Sequence, residues 1–267
     1  MTLRIAAAQA VSVSGDVAAN VATAVELVTT AGHKGARVVV LPELFLTGYD
    51  PDAWSHESAL TLDDDRLDPL RQVARDKEVV VVASAAVRRA LDSTTLSVVL
   101  VDASGEVSAP YDKQHLCGAE RDFFTGGDHG ATLAVDGWQL GLGICNDGSF
   151  PEHAVAAAAA GATAYLCPSA YFRGAEHRRD LRYASRALDN GIYVVLSGLP
   201  GTCGAYEFCG GSSIYDPEGR VLHRLAGESP AVVVADLDLG EVRRAQDQNP
   251  VAAERLGSLG PRVRVAV

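Results

Sequence analysis

Glu43, Lys113 and Cys145 each follow an apolar run with strand character. Glu43 comes after Val38-Val39-Val40-Leu41-Pro42, Lys113 after Ala109-Pro110-Tyr111-Asp112, and Cys145 after Leu140-Gly141-Leu142-Gly143-Ile144. Strand ends are rigid supports that open onto loops, where reacting groups are best held. A thiol attacks as its thiolate, and free cysteine has a pKa of about 8.5, so it needs a base. A carboxylate serves when burial lifts its pKa toward neutrality. The oxyanion formed by attack on a carbonyl or nitrile carbon needs donors. A lysine ammonium and the backbone N–H after the cysteine can supply them, at roughly 3 kcal/mol per well-aimed donor. Carboxylate, ammonium and thiol thus suffice for acyl transfer without histidine. Taken singly, each also has a structural reading: Glu43 as a helix-start carboxylate, Lys113 as a surface charge, Cys145 as a small buried hydrophobe.

The elements that must position these groups alternate along the chain. Apolar patterning predicts strands at 3–10, 37–41, 79–86, 96–102, 107–111, 138–144, 164–167, 192–197, 211–215, 220–224 and 231–236. It predicts helices at 17–31, 67–77, 152–160, 177–190 and 239–246. Ala103-Ser104-Gly105-Glu106 and Asp216-Pro217-Glu218-Gly219 read as turns between strands. No long Pro/Ser/Gly linker divides the pattern, so residues 1–267 are expected to form one domain, a layered α/β fold with mixed sheets. The small side chains of the 154–160 segment predict close packing, in the core or at an interface between two copies.

Composition excludes several classes. Apolar residues make up 48% and charged residues 21%, a globular balance. With 23 Lys and Arg against 34 Asp and Glu, the formal net charge of −11 repels phosphate backbones and disfavours nucleic acid as a partner. No apolar stretch approaches the ~20 residues of a membrane helix. The opening Met1–Ala10 faintly imitates a signal peptide, but Gln9 and then Ser14-Gly15-Asp16 interrupt it, so a buried strand is expected. Five dispersed cysteines (117, 145, 167, 203, 209) with no CxxC pair argue against a disulfide framework or a zinc site, and for a reducing cytoplasm.

Three blocks carry a resemblance. Leu41-Pro42-Glu43-Leu44-Phe45-Leu46-Thr47-Gly48-Tyr49, Tyr111-Asp112-Lys113-Gln114-His115-Leu116, and Gly143-Ile144-Cys145-Asn146-Asp147 with Phe150-Pro151-Glu152 resemble the signature blocks of the nitrilase superfamily of carbon–nitrogen hydrolases. The resemblance continues through Pro168-Ser169-Ala170, Arg186-Ala187-Leu188-Asp189-Asn190 and Gly210-Gly211-Ser212-Ser213-Ile214 to Asp236, nearly the whole chain. It implies a four-layer α-β-β-α sandwich of two mixed β-sheets flanked by helices, paired into a homodimer or higher homo-oligomer, with neither cofactor nor metal. It also implies roles. Cys145 would be the nucleophile that forms a thioester, and Glu43 the general base that then activates water. Lys113 would stabilise the tetrahedral intermediate, with the Asn146 backbone N–H completing the oxyanion hole. Glu120 would be a second glutamate that positions substrate and lysine. Tyr49, Tyr171, Phe172 and Arg173 would bind a small-molecule substrate. The reaction implied is hydrolysis of a small linear amide or N-carbamoyl compound with release of ammonia. True nitrilases typically show Cys-Trp-Glu where this chain has Cys145-Asn146-Asp147, which favours an amide or carbamoyl bond over a nitrile. An acyl- or amide-transferring enzyme and a catalytically silent binding protein are the alternatives.

The chain departs from the family pattern at several points. Asn146 stands where an aromatic residue is usual, and Ser149 where many members carry arginine, so a common ion pair is expected to be missing. Asp189 replaces a glutamate of the later helix. Gly210-Gly211-Ser212-Ser213 also resembles the serine motif of amidase-signature enzymes, but it leads into a strand and turn, and a structural role is expected. His115 and His153 lie near the blocks and raise a Cys–His hydrolase, although nothing indicates the third group that would orient the imidazole. His115 is instead expected to hydrogen-bond behind the site, and Cys117 to be a buried thiol beside it. Arg173 heads a cluster with Arg178, Arg179 and Arg182. It is expected to grip a substrate carboxylate, the competing reading being a solvated helix face.

Overall fold

Val38-Val39-Val40 are buried on both faces of the strand they form, the pattern of a central parallel strand covered on both sides. The computed structural model describes residues 1–91 and 93–265. In chain order the first elements are β1 (Thr2–Gln9), α1 (Val17–His33), β2 (Val38–Val40), α2 (Asp68–Lys77), β3 (Val80–Ala90), β4 (Ser93–Val101) and β5 (Val107–Asp112). A short helix α3 (Glu120–Phe123) is followed by β6 (Thr132–Val135), β7 (Trp138–Leu142), α4 (Pro151–Ala159), β8 (Ala164–Ser169), α5 (Glu176–Asn190) and β9 (Tyr193–Gly198). The chain ends with β10 (Pro200–Cys203), β11 (Tyr206–Cys209), β12 (Ser213–Tyr215), β13 (Val221–Arg224), β14 (Ala231–Asp238) and α6 (Leu239–Gln248).

Two six-stranded sheets have the orders β14-β1-β2-β3-β4-β5 and β13-β12-β9-β8-β7-β6. Each has three parallel strands at its centre, β1-β2-β3 and β7-β8-β9, with antiparallel strands outside them. Both centres are wound by the same strand–helix–strand–helix–strand path, a structural echo that no sequence periodicity betrays. Helices α1 and α2 cover the first sheet, α4 and α5 the second, and β1 and β2 face β8 and β9. The molecule is therefore the expected α-β-β-α sandwich of two mixed sheets.

Local chemistry accounts for the elements. The Asp16 carboxylate accepts from the Ala19 N–H at 3.0 Å and caps α1, which turns Val17, Val21, Ala24, Leu27, Val28 and Ala31 inward at helical spacing. The Gly210–Ser213 motif stitches the two sheets. The Ser197 and Ser212 hydroxyls donate to the Ala8 carbonyl, and the Gly211 and Ser212 N–H groups donate to Gln9 Oε1 at 3.2 Å each.

Sequence patterning misses β6 and the β10–β11 hairpin. Pro200-Gly201-Thr202-Cys203 lacks strand alternation, and the hairpin turns on Gly204 at φ +57°. Helix α4 buries His153 and Ala154 and packs Ala157 and Ala158 against the core, while Ala156 and Ala159 on its other face are exposed, so its small side chains are divided between core and surface. Among the described residues no helix is long and apolar enough to cross a membrane.

Candidate active site

The chain leaves β2 and β7 through bent backbone. Leu44, next to Glu43, has φ +48°, and Cys145 itself has φ +42°. A non-glycine residue held there costs about 1–3 kcal/mol and persists only where its surroundings over-determine it. Around Cys145 they do. The Ile144 N–H donates to Asp147 Oδ2 at 2.9 Å, and the Gly143 N–H to the Leu166 carbonyl at 3.0 Å. The Tyr183 hydroxyl donates to the Cys145 carbonyl at 3.0 Å, and Arg186 Nε to the Gly148 carbonyl at 3.0 Å. A Cβ at Gly148 would stand 2.7 Å from the Tyr183 ring, so this close approach requires glycine.

At the end of β5, the Lys113 ammonium donates to Glu43 Oε1 at 2.6 Å and to both oxygens of Glu120 at 2.7 Å. All three side chains are fully buried, and Cys145 is 8% exposed. Glu120 is well supplied with donors: the Tyr49 hydroxyl at 2.7 Å and the Cys117 N–H at 3.0 Å complete its set. Glu43 Oε2, by contrast, has no hydrogen-bond partner. Two buried carboxylates share one ammonium, so one of them is poised to take a proton. Burial pushes the Glu43 carboxyl up to about 7, against the pull of the neighbouring Lys113 ammonium, while Glu120 raises it further and the nearby Cys145 thiol lowers it. Burial and the Glu43 charge drive the Cys145 thiol well above its ordinary range, so the resting sulfur is protonated at neutral pH. Burial alone would lower the Lys113 pKa, but the two carboxylates hold it above the ordinary lysine range.

These values fix the sign of a pH dependence. Only an ionised Glu43 can accept a proton from the thiol. Activity (kcat/KM) is expected to rise about tenfold per pH unit on the acid side and to level off above about 7. A pH series with a neutral amide measures it; a profile flat from pH 5 to 8 contradicts a base with this environment.

Behind the nucleophile turn lies a polar network that was only partly visible from sequence. Asp147, fully buried, accepts from the Tyr111 hydroxyl at 2.6 Å and from the His115 N–H at 2.9 Å, with His115 Nδ1 also at 2.9 Å. Tyr111 and Tyr165 hydroxyls engage His153 Nε2 and Nδ1 at 2.8 and 2.9 Å. His153 thus spends both ring nitrogens on tyrosines, and burial keeps it neutral by lowering its pKa. Asn146 Nδ2 donates to the His115 carbonyl at 2.9 Å, so this polar side chain ties the cysteine turn to the lysine block. Its backbone N–H lies in the first turn of a short 3-10 segment, where such groups lack intrahelical partners. Tyr111, His115 and Asp147 stand inside the sequence blocks; Tyr165, Tyr183 and Arg186 come from β8 and α5, and only the fold brings them here. A cavity of about 520 Å³ opens behind this network, lined among others by His115, Glu152, His153 and Ala157; none of Glu43, Lys113 and Cys145 lines it. Among the described residues no group of three or more His, Cys, Asp or Glu side chains is placed to hold a metal ion.

The remaining candidates divide. Tyr49 is buried, and its ring packs edge-on against Trp54, Phe172, Tyr206 and Phe208 at 5.3–6.3 Å between centroids. Phe172 stacks on Phe208 at 5.4 Å and is 44% exposed, an aromatic surface continuous with the Tyr49–Glu120 pair. Tyr171 is buried near Cys145. Arg173 does not keep its expected role. Its guanidinium is exposed and already meets Glu228 at 2.6 Å and Glu207 at 3.2 Å, so it has no free charge to offer a substrate carboxylate.

A family model described as carbon-nitrogen hydrolase matches residues 4–247. The chain is 32% identical over 237 residues to the deaminated glutathione amidase of Escherichia coli O157:H7, covering 86% of this chain and 88% of that protein. It is 34% identical over 242 residues to a nitrilase of Pyrococcus abyssi, covering 88% and 90%. Among solved structures, a mutant amidase from Nesterenkonia sp. AN1, with the acetamide moiety of fluoroacetamide covalently added at its active-site cysteine, superposes with a TM-score of 0.81 at 31% identity, covering 93% of this chain and 94% of that one.

Proposed function

The chain belongs to the carbon-nitrogen hydrolase family, and from that premise we propose that it is an amidase: it hydrolyses a small linear amide or N-carbamoyl compound through a cysteine-bound acyl intermediate and releases ammonia. The observation that carries this reading is the buried Lys113 ammonium bridging Glu43 and Glu120 beside the Cys145 thiol, with Glu43 Oε2 left free to take a proton.

In this reading Glu43 Oε2 takes the thiol proton as Cys145 Sγ bonds to the carbonyl carbon. The carbonyl oxygen becomes an oxyanion held by Lys113 Nζ and the Asn146 N–H, donors set before the charge appears. The intermediate collapses, the C–N bond breaks, and Glu43 returns its proton so that ammonia leaves. A thioester remains. Water then gives a proton to Glu43 and attacks the same carbon; the C–S bond breaks, the carboxylic acid departs and the thiol is restored. Glu120 holds the ammonium in line, and Tyr49, through its hydroxyl on Glu120, joins the aromatic mouth to that ion group. Tyr49, Tyr171 and Phe172 line the substrate path.

The test is ammonia release across matched amides, ω-amides, N-carbamoyl amino acids and nitriles. Turnover of amide or carbamoyl compounds ahead of nitriles is expected; a preference for nitriles, or no release from any class, overturns the proposal. The same reading takes residues 1–267 as one domain and the active unit as a homodimer or larger homo-oligomer, for which the exposed small-residue face of α4 is the support; a monomer in sedimentation at micromolar concentration would remove that unit. Five free cysteines support a reducing, cytoplasmic setting.

A further inference from the structure

The two donors assigned to the oxyanion come from different sheets. Lys113 follows β5 of the first sheet, and Asn146 follows β7 of the second. No strand ladder joins β5 to β7. Yet a donor has its full effect only when it is aimed to within about 0.5 Å of the productive place. Something outside the ladders has to fix one donor relative to the other.

Side chains of the nucleophile turn do this by gripping the lysine segment through its backbone. The His115 N–H donates to Asp147 Oδ1, and the His115 carbonyl accepts from Asn146 Nδ2, each at 2.9 Å. Both polar backbone atoms of His115, just beyond Lys113, are therefore held by the residues that follow Cys145. On the other flank of the lysine, the Tyr111 hydroxyl donates to Asp147 Oδ2 at 2.6 Å. The His115 ring also stacks on Phe150, with centroids 3.9 Å apart. These ties differ in what else they hold. Asp147 accepts from the Ile144 N–H as well, so it maintains the turn itself. Among the described residues the Asn146 side chain makes one hydrogen bond, to the His115 carbonyl. That side chain is short and belongs to the residue whose own N–H meets the oxyanion. Its tether restrains the direction of that N–H as well as its separation from the lysine.

We propose that the Asn146 side chain is a positioning residue for the oxyanion hole: its bond to the His115 carbonyl sets the Asn146 N–H and Lys113 Nζ in register across the seam between the two sheets. The proposal rests on the amidase reading and deepens it. The register matters only when charge develops on the substrate oxygen. Losing it slows the chemistry and leaves ground-state binding as it was.

Asn146→Leu keeps the shape of the side chain and gives up its donor. It is expected to lower kcat for butyramide by about tenfold or more, with KM within about twofold of wild type. Butyraldehyde supplies a readout that a merely structural role would not move. Cys145 Sγ bonds to its carbonyl carbon, the thiol proton passes to Glu43 Oε2, and the aldehyde oxygen takes the place of the oxyanion. Its inhibition constant should rise by the factor by which kcat falls. The Kd of butyramide on Cys145→Ala, measured with and without Asn146→Leu, should stay the same. Asn146→Ala also gives up the tether and should repeat this split, so the result does not depend on one variant. An unchanged kcat overturns the positioning role and leaves the amidase reading standing. So does a lower kcat with the same aldehyde inhibition constant, or with a shifted Kd. If the wild-type protein releases ammonia from no amide, the amidase reading falls and the positioning role with it.

Discussion

Cys145→Ala is expected to lower amide turnover by about 10⁴-fold or more while leaving the fold intact. The size follows from there being no second nucleophile in the right place. Cys117 is tied to Glu120, its N–H bound to Oε2, and its thiol is pushed up to about 11 by burial. Cys167 is buried against the Tyr183 hydroxyl at 3.2 Å. The fold should survive because alanine keeps the Cβ and accepts the same left-handed backbone no worse than cysteine does. The hydrogen bonds that hold the turn come from backbone atoms and from Asp147, Tyr183 and Arg186. Losing one buried sulfur costs about 1 kcal/mol. Ammonia release and circular dichroism on the same preparation check both halves of this expectation.

Lys113→Met should damage both activity and stability. Methionine replaces the aliphatic stem but leaves Glu43 and Glu120 fully buried with no cation between them. Removing one partner from a buried ion group costs about 3–5 kcal/mol. The loss of the oxyanion donor alone lowers kcat by about 10²–10³-fold. The pH dependence gives the sign. The ammonium normally pulls the Glu43 pKa down, so its removal drives that carboxyl further above its unfolded value. A carboxyl raised in the folded state binds more protons there than in the unfolded chain, so stability falls as pH rises through the interval between the two values. The variant should therefore be most unstable at pH 8 and recover toward pH 5. Urea unfolding at both pH values measures it. An equal deficit at the two, or wild-type turnover, contradicts the buried triad.

The parts of the site that were legible in the sequence share a physical origin. Glu43, Lys113 and Cys145 sit in short blocks whose apolar runs become β2, β5 and β7, so local pattern and position in the fold coincide. Glu120 was also visible, although it lies on a four-residue helix that no periodicity marks. What was not legible depends on long-range packing. Arg173 reads as a free cation until the fold brings Glu228 to it from the loop before β14. Tyr183 reads as an ordinary position of an amphipathic helix, and Arg186 as part of a resembling block with no role assigned to it, yet they clamp the carbonyls of the nucleophile turn. The absence of arginine at Ser149 was visible, but the unpaired Ser149 and Tyr171 hydroxyls were not, because Tyr171 reaches its buried place only through the packing of the second sheet.

The account turns on a covalent bond at one sulfur. Acid-quenching the wild-type protein during butyramide turnover and weighing its peptides tests this most directly. The peptide containing Cys145 is predicted to carry the added mass of one butyryl group, absent from Cys145→Ala and lost on mild treatment with hydroxylamine. A butyryl group on another residue, or steady ammonia release with no acylated peptide and with Cys145→Ala still active, would contradict it.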